Sequence, residues 1–266
     1  MCYNIQYLTR KKLEYAEHVG IEDEETEKLM EELEKFQEVY FVNGFVHPDI
    51  PVITNDDPGT IQMFHWGLVP SWTKDAMGMA KIIKNTLNAR GETIFEKPSF
   101  RNSAKKKRCL VLLDGFYEYH HFNGLKYPFW IGLKAKKPFA VAGLWEEWHH
   151  DGINMRSVSI VTCEGNPLMA NIHNNPALKK RGSGPRMPVI LPKELQSSWI
   201  KEIDPKDLTE IAGLKELIQP FPESEMEAHT APPLVGNHGV GNSISAEQEF
   251  EYPELALVID DILCKN

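Results

Sequence analysis

Cysteine is scarce in this chain: four residues in 266, at positions 2, 109, 163 and 264. They are too few and too scattered for a disulfide framework, and they form none of the close pairs that a cysteine-based zinc site uses. Long apolar runs are missing too. The longest are strand-sized, such as 109–113, which excludes a membrane-spanning helix. The opening Met-Cys-Tyr-Asn-Ile-Gln-Tyr lacks the basic-then-apolar pattern of a secretory signal, so a cytoplasmic, membrane-free protein is expected. Positive charge is in deficit, 29 Lys and Arg against 38 Asp and Glu for a net −9. That argues against a wholly basic nucleic-acid coat protein. No phosphate-binding Gly-x-x-x-x-Gly-Lys motif occurs, and Gly236 to Gly241 lies in a Pro-rich loop rather than between a strand and a helix. No serine sits in a nucleophile elbow. Neither a metal nor a cofactor is called for.

What is present is globular in proportion, 42% hydrophobic and 25% charged, enough for a sizeable core in one large domain or two modest ones. The acidic excess sits in two flanks. Residues 11–38 carry eleven acidic and four basic side chains, and 223–261 carry nine acidic and none basic. The middle, 39–222, has 23 basic and 18 acidic residues, a surplus of +5. Arg101, Lys105, Lys106, Lys107 and Arg108 crowd one stretch of it, and Lys179, Lys180, Arg181 and Arg186 another. Such clusters either bind phosphates or form solvated loops.

Leu29, Leu33, Phe36 and Tyr40 recur at helical spacing, with acids on the other face, which predicts an amphipathic acidic helix near 22–40. From residue 50 the texture becomes short β-type runs. Strands are predicted at 60–66, 108–113, 127–133, 138–143, 156–163 and 187–191. Helices are expected over 193–201, over 205–218 with Asp204-Pro205 as its start, and around 74–84. Beyond Pro220 the chain reads as loop until the apolar stretch 255–263. With no repeat and no long linker, the expectation is one α+β domain over 1–266 with a strand-rich core.

Cys2 carries the most chemistry. Once an initiator Met is removed, the residue becomes an N-terminal 1,2-aminothiol, with an amine of pKa about 8 beside a thiol of pKa about 8.5. Both are nucleophiles near neutral pH. The pair can condense with an aldehyde, the amine forming an imine and the sulfur closing a thiazolidine, or it can attack an amide. Cys109 and Cys163 lie in apolar runs and read as inert core residues. Glu118, flanked by Phe116, Tyr117 and Tyr119 at the end of the 109–113 strand, should have its pKa raised by desolvation, which suits proton transfer, or should form a cross-strand ion pair. His173 in Asn171-Ile172-His173-Asn174-Asn175 reads as a catalyst or a surface residue. Asn88 and Arg90 read as a cap and an ion-pair partner or as site residues. The pairs His120-His121 and His149-His150 read as solvated imidazoles at hairpin ends, because adjacent strand residues point to opposite faces.

Five blocks in order, Met1-Cys2, Trp66-Gly67-Leu68-Val69-Pro70-Ser71-Trp72, Asn88-Ala89-Arg90-Gly91-Glu92-Thr93, Asp114-Gly115-Phe116-Tyr117-Glu118-Tyr119 and Arg186-Met187-Pro188-Val189-Ile190-Leu191, resemble the SOS-response-associated peptidase family, the abasic-site processing proteins. The resemblance spans nearly the whole chain. It implies an α+β fold with a barrel-like mixed sheet, peripheral helices and a positively charged channel for single-stranded DNA containing abasic sites, bound by a monomer. It implies that Cys2, after self-removal of Met1, crosslinks to the ring-opened aldehyde. Asn88 would hold the amine or sugar, Glu118 would shuttle protons, and His173 would protonate the sugar oxygen or promote reversal. Arg90 and Arg186 would grip phosphates, and Trp72 would stack on a base. Three features depart from the family. Tyr3-Asn4 replace Gly-Arg, twelve residues separate His173 from Arg186, and the acidic helix is an addition. A cysteine peptidase acting on other proteins and a non-catalytic nucleic-acid-binding module are the alternatives.

Overall fold

Every residue of Arg108–Leu113 is buried, and a strand buried on both faces must sit inside a sheet that is itself covered. A computed structural model of the chain, describing residues 2–16, 18, 30, 31, 33–180 and 183–264, shows how. The strands are β1 (Asn4–Tyr7), β2 (Val39–Asn43), β3 (Asp49–Thr54), β4 (Gln62–Trp66), β5 (Asn88–Arg90), β6 (Arg108–Leu113) and β7 (Gly115–Phe122). They continue with β8 (Leu125–Leu133), β9 (Phe139–His150), β10 (Ile153–Glu164), β11 (Arg186–Pro188), β12 (Ile190–Leu191) and β13 (Met226–Thr230). β3 pairs antiparallel with β4 and with β6, β6 with β9, and β9 with β10, while β10 runs parallel to β4. That circuit closes into a five-stranded barrel, which leaves no unpaired edge within it. The fold is α+β with a barrel core and helices at its periphery.

A second, wholly antiparallel sheet has the order β13-β8-β7-β1-β2. Only Asp114 separates β6 from β7, so the chain passes from barrel to second sheet in one residue. Asp114 also anchors the segment that follows β1. Its carboxylate accepts from the Thr9 amide at 2.7 Å, the Thr9 hydroxyl at 2.8 Å and the Tyr15 hydroxyl. Buried residues of both sheets, among them Ile5, Phe116 and Phe129 with Val52, Leu110 and Val141, belong to one core cluster.

The six predicted strands fall on β4, β6, β8, β9, β10 and the β11–β12 pair. β9 and β10 run twelve residues each, beyond their apolar runs, because they continue as a hairpin past the barrel. Glu118 lies in the middle of β7 rather than at the end of the 109–113 strand. Helices form at Lys193–Ile200 and Ala76–Ile82 as expected. The next helix is Leu208–Glu216, capped by Asp207 accepting from the Thr209 and Glu210 amides. Asp204 instead accepts from the Lys206 amide in a turn, so the predicted Asp204-Pro205 start is corrected. Most of the acidic segment lies outside the described residues. Its end is corrected too: Tyr40 belongs to β2, where pairing with β1 overrides the helical spacing. Leu33 is buried nonetheless. The tail beyond Pro220 is not all loop, because β13 adds an edge to β8. No helix among the described residues is long and apolar enough to cross a membrane.

Candidate active site

Four separate parts of the chain meet beside β1. Cys2, directly before that strand, is fully buried. Register sets Asn4 opposite Tyr117 on β7, and Glu118, the next residue of that strand, lies close enough for its charge to act on the Cys2 thiol. β5 supplies Asn88. It runs parallel to β10, with Asn88 opposite Ile160 and Arg90 opposite Thr162, and its approach is fixed by the Trp66 indole N–H donating to the Leu87 carbonyl at 2.8 Å. The Asn88 amide then donates from Nδ2 to the Cys2 carbonyl at 2.7 Å. Its buried Oδ1 has no hydrogen-bond partner among the described residues, which leaves an acceptor for a new N–H. His173 ends the helix Pro167–Ile172, which starts on an Asn166 side-chain cap with proline in the first turn. Its Nε2 lies 4.0 Å from Glu118 Oε2.

Burial sets the electrostatics. Desolvation pushes the Glu118 carboxyl up to about 7 and the His173 ring down to about 4. Near neutral pH the carboxyl therefore exchanges a proton readily while the imidazole is neutral. The Cys2 thiol is pushed up strongly by burial and by the charge of Glu118, so it stays protonated until a base takes its hydrogen. The twelve-residue insertion leaves His173 beside Arg186. The Arg186 amide nitrogen lies 3.3 Å from His173 Nδ1, because the intervening chain loops out through the helix Pro176–Lys180 and returns. His173 Nδ1 also lies 3.4 Å from the Arg186 carbonyl, so the Arg186 backbone holds the ring by that nitrogen and turns Nε2 toward Glu118.

A cleft of about 540 Å³ opens over this cluster, with Tyr3, Arg90, Glu118, His173 and Arg186 in its walls. Arg90 is exposed at its edge. Arg186 is not: it is 8% exposed, and its guanidinium is forked onto Glu92 at 2.7 and 2.9 Å and onto the Thr162 carbonyl at 2.7 Å. Those partners occupy the donors expected for a phosphate, so Arg186 braces the wall. Trp72 is 52% exposed with its indole N–H 3.3 Å from the Pro98 carbonyl, and it does not line the cleft. The basic stretch around 101–108 is not a uniform patch. Arg108 is fully buried and donates to the carbonyls of Ala104, Trp199 and Lys201, while Lys107 pairs with Glu146. Arg181 and the side chain of Lys179 lie outside the described residues. Cys109 and Cys163 are buried as expected.

Sequence reasoning missed part of the cleft. His121 and Lys126 line it, and His120 is 7% exposed, with Nδ1 2.8 Å from the Asn171 carbonyl and its ring packed against Phe122 and Phe129. The solvated reading of His120-His121 is thus corrected, because the helix ending at His173 covers this hairpin. Cross-strand pairing of His121 with Lys126 was the available signal.

Residues 1–238 match the family described as SOS response associated peptidase. The abasic site processing protein YoqW of Bacillus subtilis is 36% identical over 190 residues, 71% of this chain and 76% of that protein. The abasic site processing protein HMCES of Mus musculus is 30% identical over 201 residues, 65% of this chain and 52% of that protein. A solved structure from Bacteroides thetaiotaomicron matches at a TM-score of 0.76 and 30% identity, covering 94% of this chain and 100% of that one. One from Bordetella bronchiseptica, at 0.64 and 21% identity, covers 86% of this chain and 99% of that one and shares the fold. The chain belongs to the SOS response associated peptidase family.

Proposed function

We propose that the protein processes abasic sites in single-stranded DNA, linking the mature N-terminal Cys2 covalently to the lesion's aldehyde after removing its own Met1. The observation that carries this reading is the gathering of a buried Cys2, Asn88, Glu118 and His173, the last two of which line one cleft. The names of the curated relatives, abasic site processing proteins, support the same substrate.

Hydrolysis of the Met1–Cys2 bond frees the Cys2 amine. That amine adds to the aldehyde carbon of the ring-opened sugar. The resulting hydroxyl leaves as water, its proton supplied by Glu118, to give an imine. The Cys2 sulfur then bonds to the imine carbon as the thiol hydrogen passes, through Glu118, to the nitrogen. The product is a thiazolidine plus one water. A carboxyl titrating near 7 can both give and take these protons at physiological pH. Asn88 Oδ1 accepts from the amine and orients it. During ring opening the sugar's C1 hydroxyl gives its proton to the Glu118 carboxylate, and His173 passes a proton to the sugar oxygen as it takes that one over from Glu118, so the ring ends neutral as it began. Arg90 at the cleft edge holds a phosphate, and Trp72, outside the cleft, stacks on a base farther along the strand.

The test is incubation of the mature protein with single-stranded DNA carrying one abasic site, followed by denaturing electrophoresis. A denaturation-resistant adduct is expected from wild type and none from Cys2→Ala, which should bind DNA nearly as well because the phosphate contacts lie elsewhere. Undiminished adduct from Cys2→Ala would overturn the mechanism. Cleavage of added peptides without any adduct would favour a general peptidase instead.

A further inference from the structure

The cleft extends beyond the reacting groups, and its far end is built from the β7–β8 hairpin. In the antiparallel register His121 stands directly opposite Lys126, and directly opposed residues share a face of the sheet. Both line the same cleft as Glu118 and His173. At about 3.3 Å per residue, His121 lies roughly 10 Å along β7 from Glu118.

This end is also held rigidly. β1 pairs with β7 only as far as Tyr117, so beyond that point β7 has no paired strand on that side among the described residues. The side chain of Asn174 takes the place of one. Its Oδ1 accepts from the His121 amide at 2.7 Å, and its Nδ2 donates to the His121 carbonyl at 3.0 Å. The residue that follows the catalytic histidine thereby ties the far end of the cleft to the near end. Asn175, Ser183 and Gly184, from the segment between His173 and Arg186, form the facing wall. Arg90 and Lys126 bring positive charge to the cleft, while the charge of Arg186 is met by Glu92.

We infer that His121 and Lys126 form a second anchoring point for the DNA strand, binding a backbone phosphate next to the abasic nucleotide. The inference rests on the DNA reading of this cleft. Lys126 supplies the charge and the His121 ring an N–H donor. Desolvation and the neighbouring Lys126 and His120 hold that ring's pKa below its ordinary value, so at neutral pH it donates without adding charge. Two anchors on either side of Glu118 and His173 would hold the sugar between them, which is what positioning requires.

The experiment uses single-stranded DNA with one tetrahydrofuran abasic analogue, which has no aldehyde and so binds without reacting. Affinity is measured across a salt series for wild type, Lys126→Gln, Lys126→Arg and His121→Ala. Lys126→Gln should bind several-fold more weakly at low salt, with a log–log salt slope shallower by about 0.7, the value for one lost phosphate contact. Lys126→Arg should keep the wild-type slope. His121→Ala should weaken binding several-fold with little change in slope. An uncharged methylphosphonate placed at one linkage beside the analogue should weaken wild type and leave Lys126→Gln unaffected. An unchanged slope in Lys126→Gln, or full additivity with the methylphosphonate at every linkage, would overturn the inference. Aldehyde-bearing DNA run in parallel separates the two readings. Adduct at wild-type level with an unchanged Lys126→Gln slope removes the second anchor alone, whereas no adduct with the expected slopes removes the covalent mechanism alone. Failure of wild type to bind the analogue would overturn both.

Discussion

Two hairpins of this protein are written almost alike. Glu118-Tyr119-His120-His121 leads to a turn at Asn123-Gly124, and Glu147-Trp148-His149-His150 leads to one at Asp151-Gly152. Both turns adopt positive φ at both central residues, 48° and 80° in the first and 47° and 78° in the second, as type I′ hairpins require. Local sequence thus produced the same backbone twice, but the side chains ended in different worlds. Glu118 is buried beside Cys2 and His173, and His120 is packed under the helix Pro167–Ile172. Glu147 pairs with Arg156 at 3.3 Å near the surface. His149 bonds to Asn154, and His150 stacks on Trp148 and pairs with Asp151. The same short motif is a buried cleft wall where the helix Pro167–Ile172 covers it and a solvated rim at the other hairpin.

The comparison can be broken most sharply by neutralising the two glutamates. Glu118→Gln removes the proton shuttle and should slow adduct formation by about 10²- to 10⁴-fold, whereas Glu147→Gln should leave the rate at wild-type level. Single-turnover kinetics on abasic single-stranded DNA checks both, and equal losses would mean that the cleft does not distinguish the hairpins.

A smaller but equally directional effect lies in pH-dependent stability. Glu118 titrates at about 7 in the fold against an ordinary 4.5, so as pH rises the unfolded chain loses this proton first. The fold therefore loses stability between about pH 4.5 and 7, by about 3 kcal/mol. Glu118→Gln should be more stable than wild type by about that amount above pH 7 and equal to it below about pH 4.5, measured by urea unfolding across the range. His173 acts in the opposite sense. Its neutral ring is favoured in the fold, so that contribution is lost as pH falls from 6.5 towards about 4. At Glu147, slight desolvation is outweighed by the Arg156 hydrogen bond, which holds the carboxyl below its ordinary value. The stabilisation there is present above pH 4.5 and lost as pH falls, and for so exposed a pair it is at most about 0.5 kcal/mol.

The smallest expected difference is at the turns themselves. Neither Gly124 nor Gly152 has an atom within 4 Å of where a Cβ would lie, so an alanine at either meets only backbone strain. Each substitution should cost about 1–2 kcal/mol of stability. Gly124→Ala should also weaken DNA binding, because it disturbs the His121–Lys126 register, and Gly152→Ala should not. Thermal unfolding together with analogue affinity separates the two outcomes.

Much of the barrel was legible in advance. The apolar run at 108–113 and the β-branched stretch at 156–163 required strands wherever they packed, because burying them is the main driving force, and the aromatic-rich 127–133 did the same for the second sheet. The short strands were not legible. β5 has three residues and exists because it pairs with β10, a neighbour some seventy positions away in the sequence. The helical spacing that reached Tyr40 lost to pairing with β1, since local periodicity is a weak preference beside a sheet partner. At the site, residue types left Cys2, Asn88, Glu118 and His173 each open to a bland reading, and only the resemblance of the five ordered blocks singled them out. Arg186 looked like a phosphate ligand until the fold gave its guanidinium to Glu92.

What the sequence determined by itself is the chemistry of single side chains and the geometry of adjacent residues: a cysteine thiol directly after Met1, a carboxyl among aromatics, two tight turns, and a barrel's worth of apolar strands. Those properties depend on covalent structure and on neighbours within a few residues. Only the tertiary structure decided which groups are desolvated and which charges are already neutralised. It set a carboxyl near 7 at position 118 and an ordinary surface pair at position 147. Burial and partnership are properties of the three-dimensional neighbourhood, assembled here from β1, β5, β7 and a helix end that lie far apart in the chain, and no reading of one segment contains them.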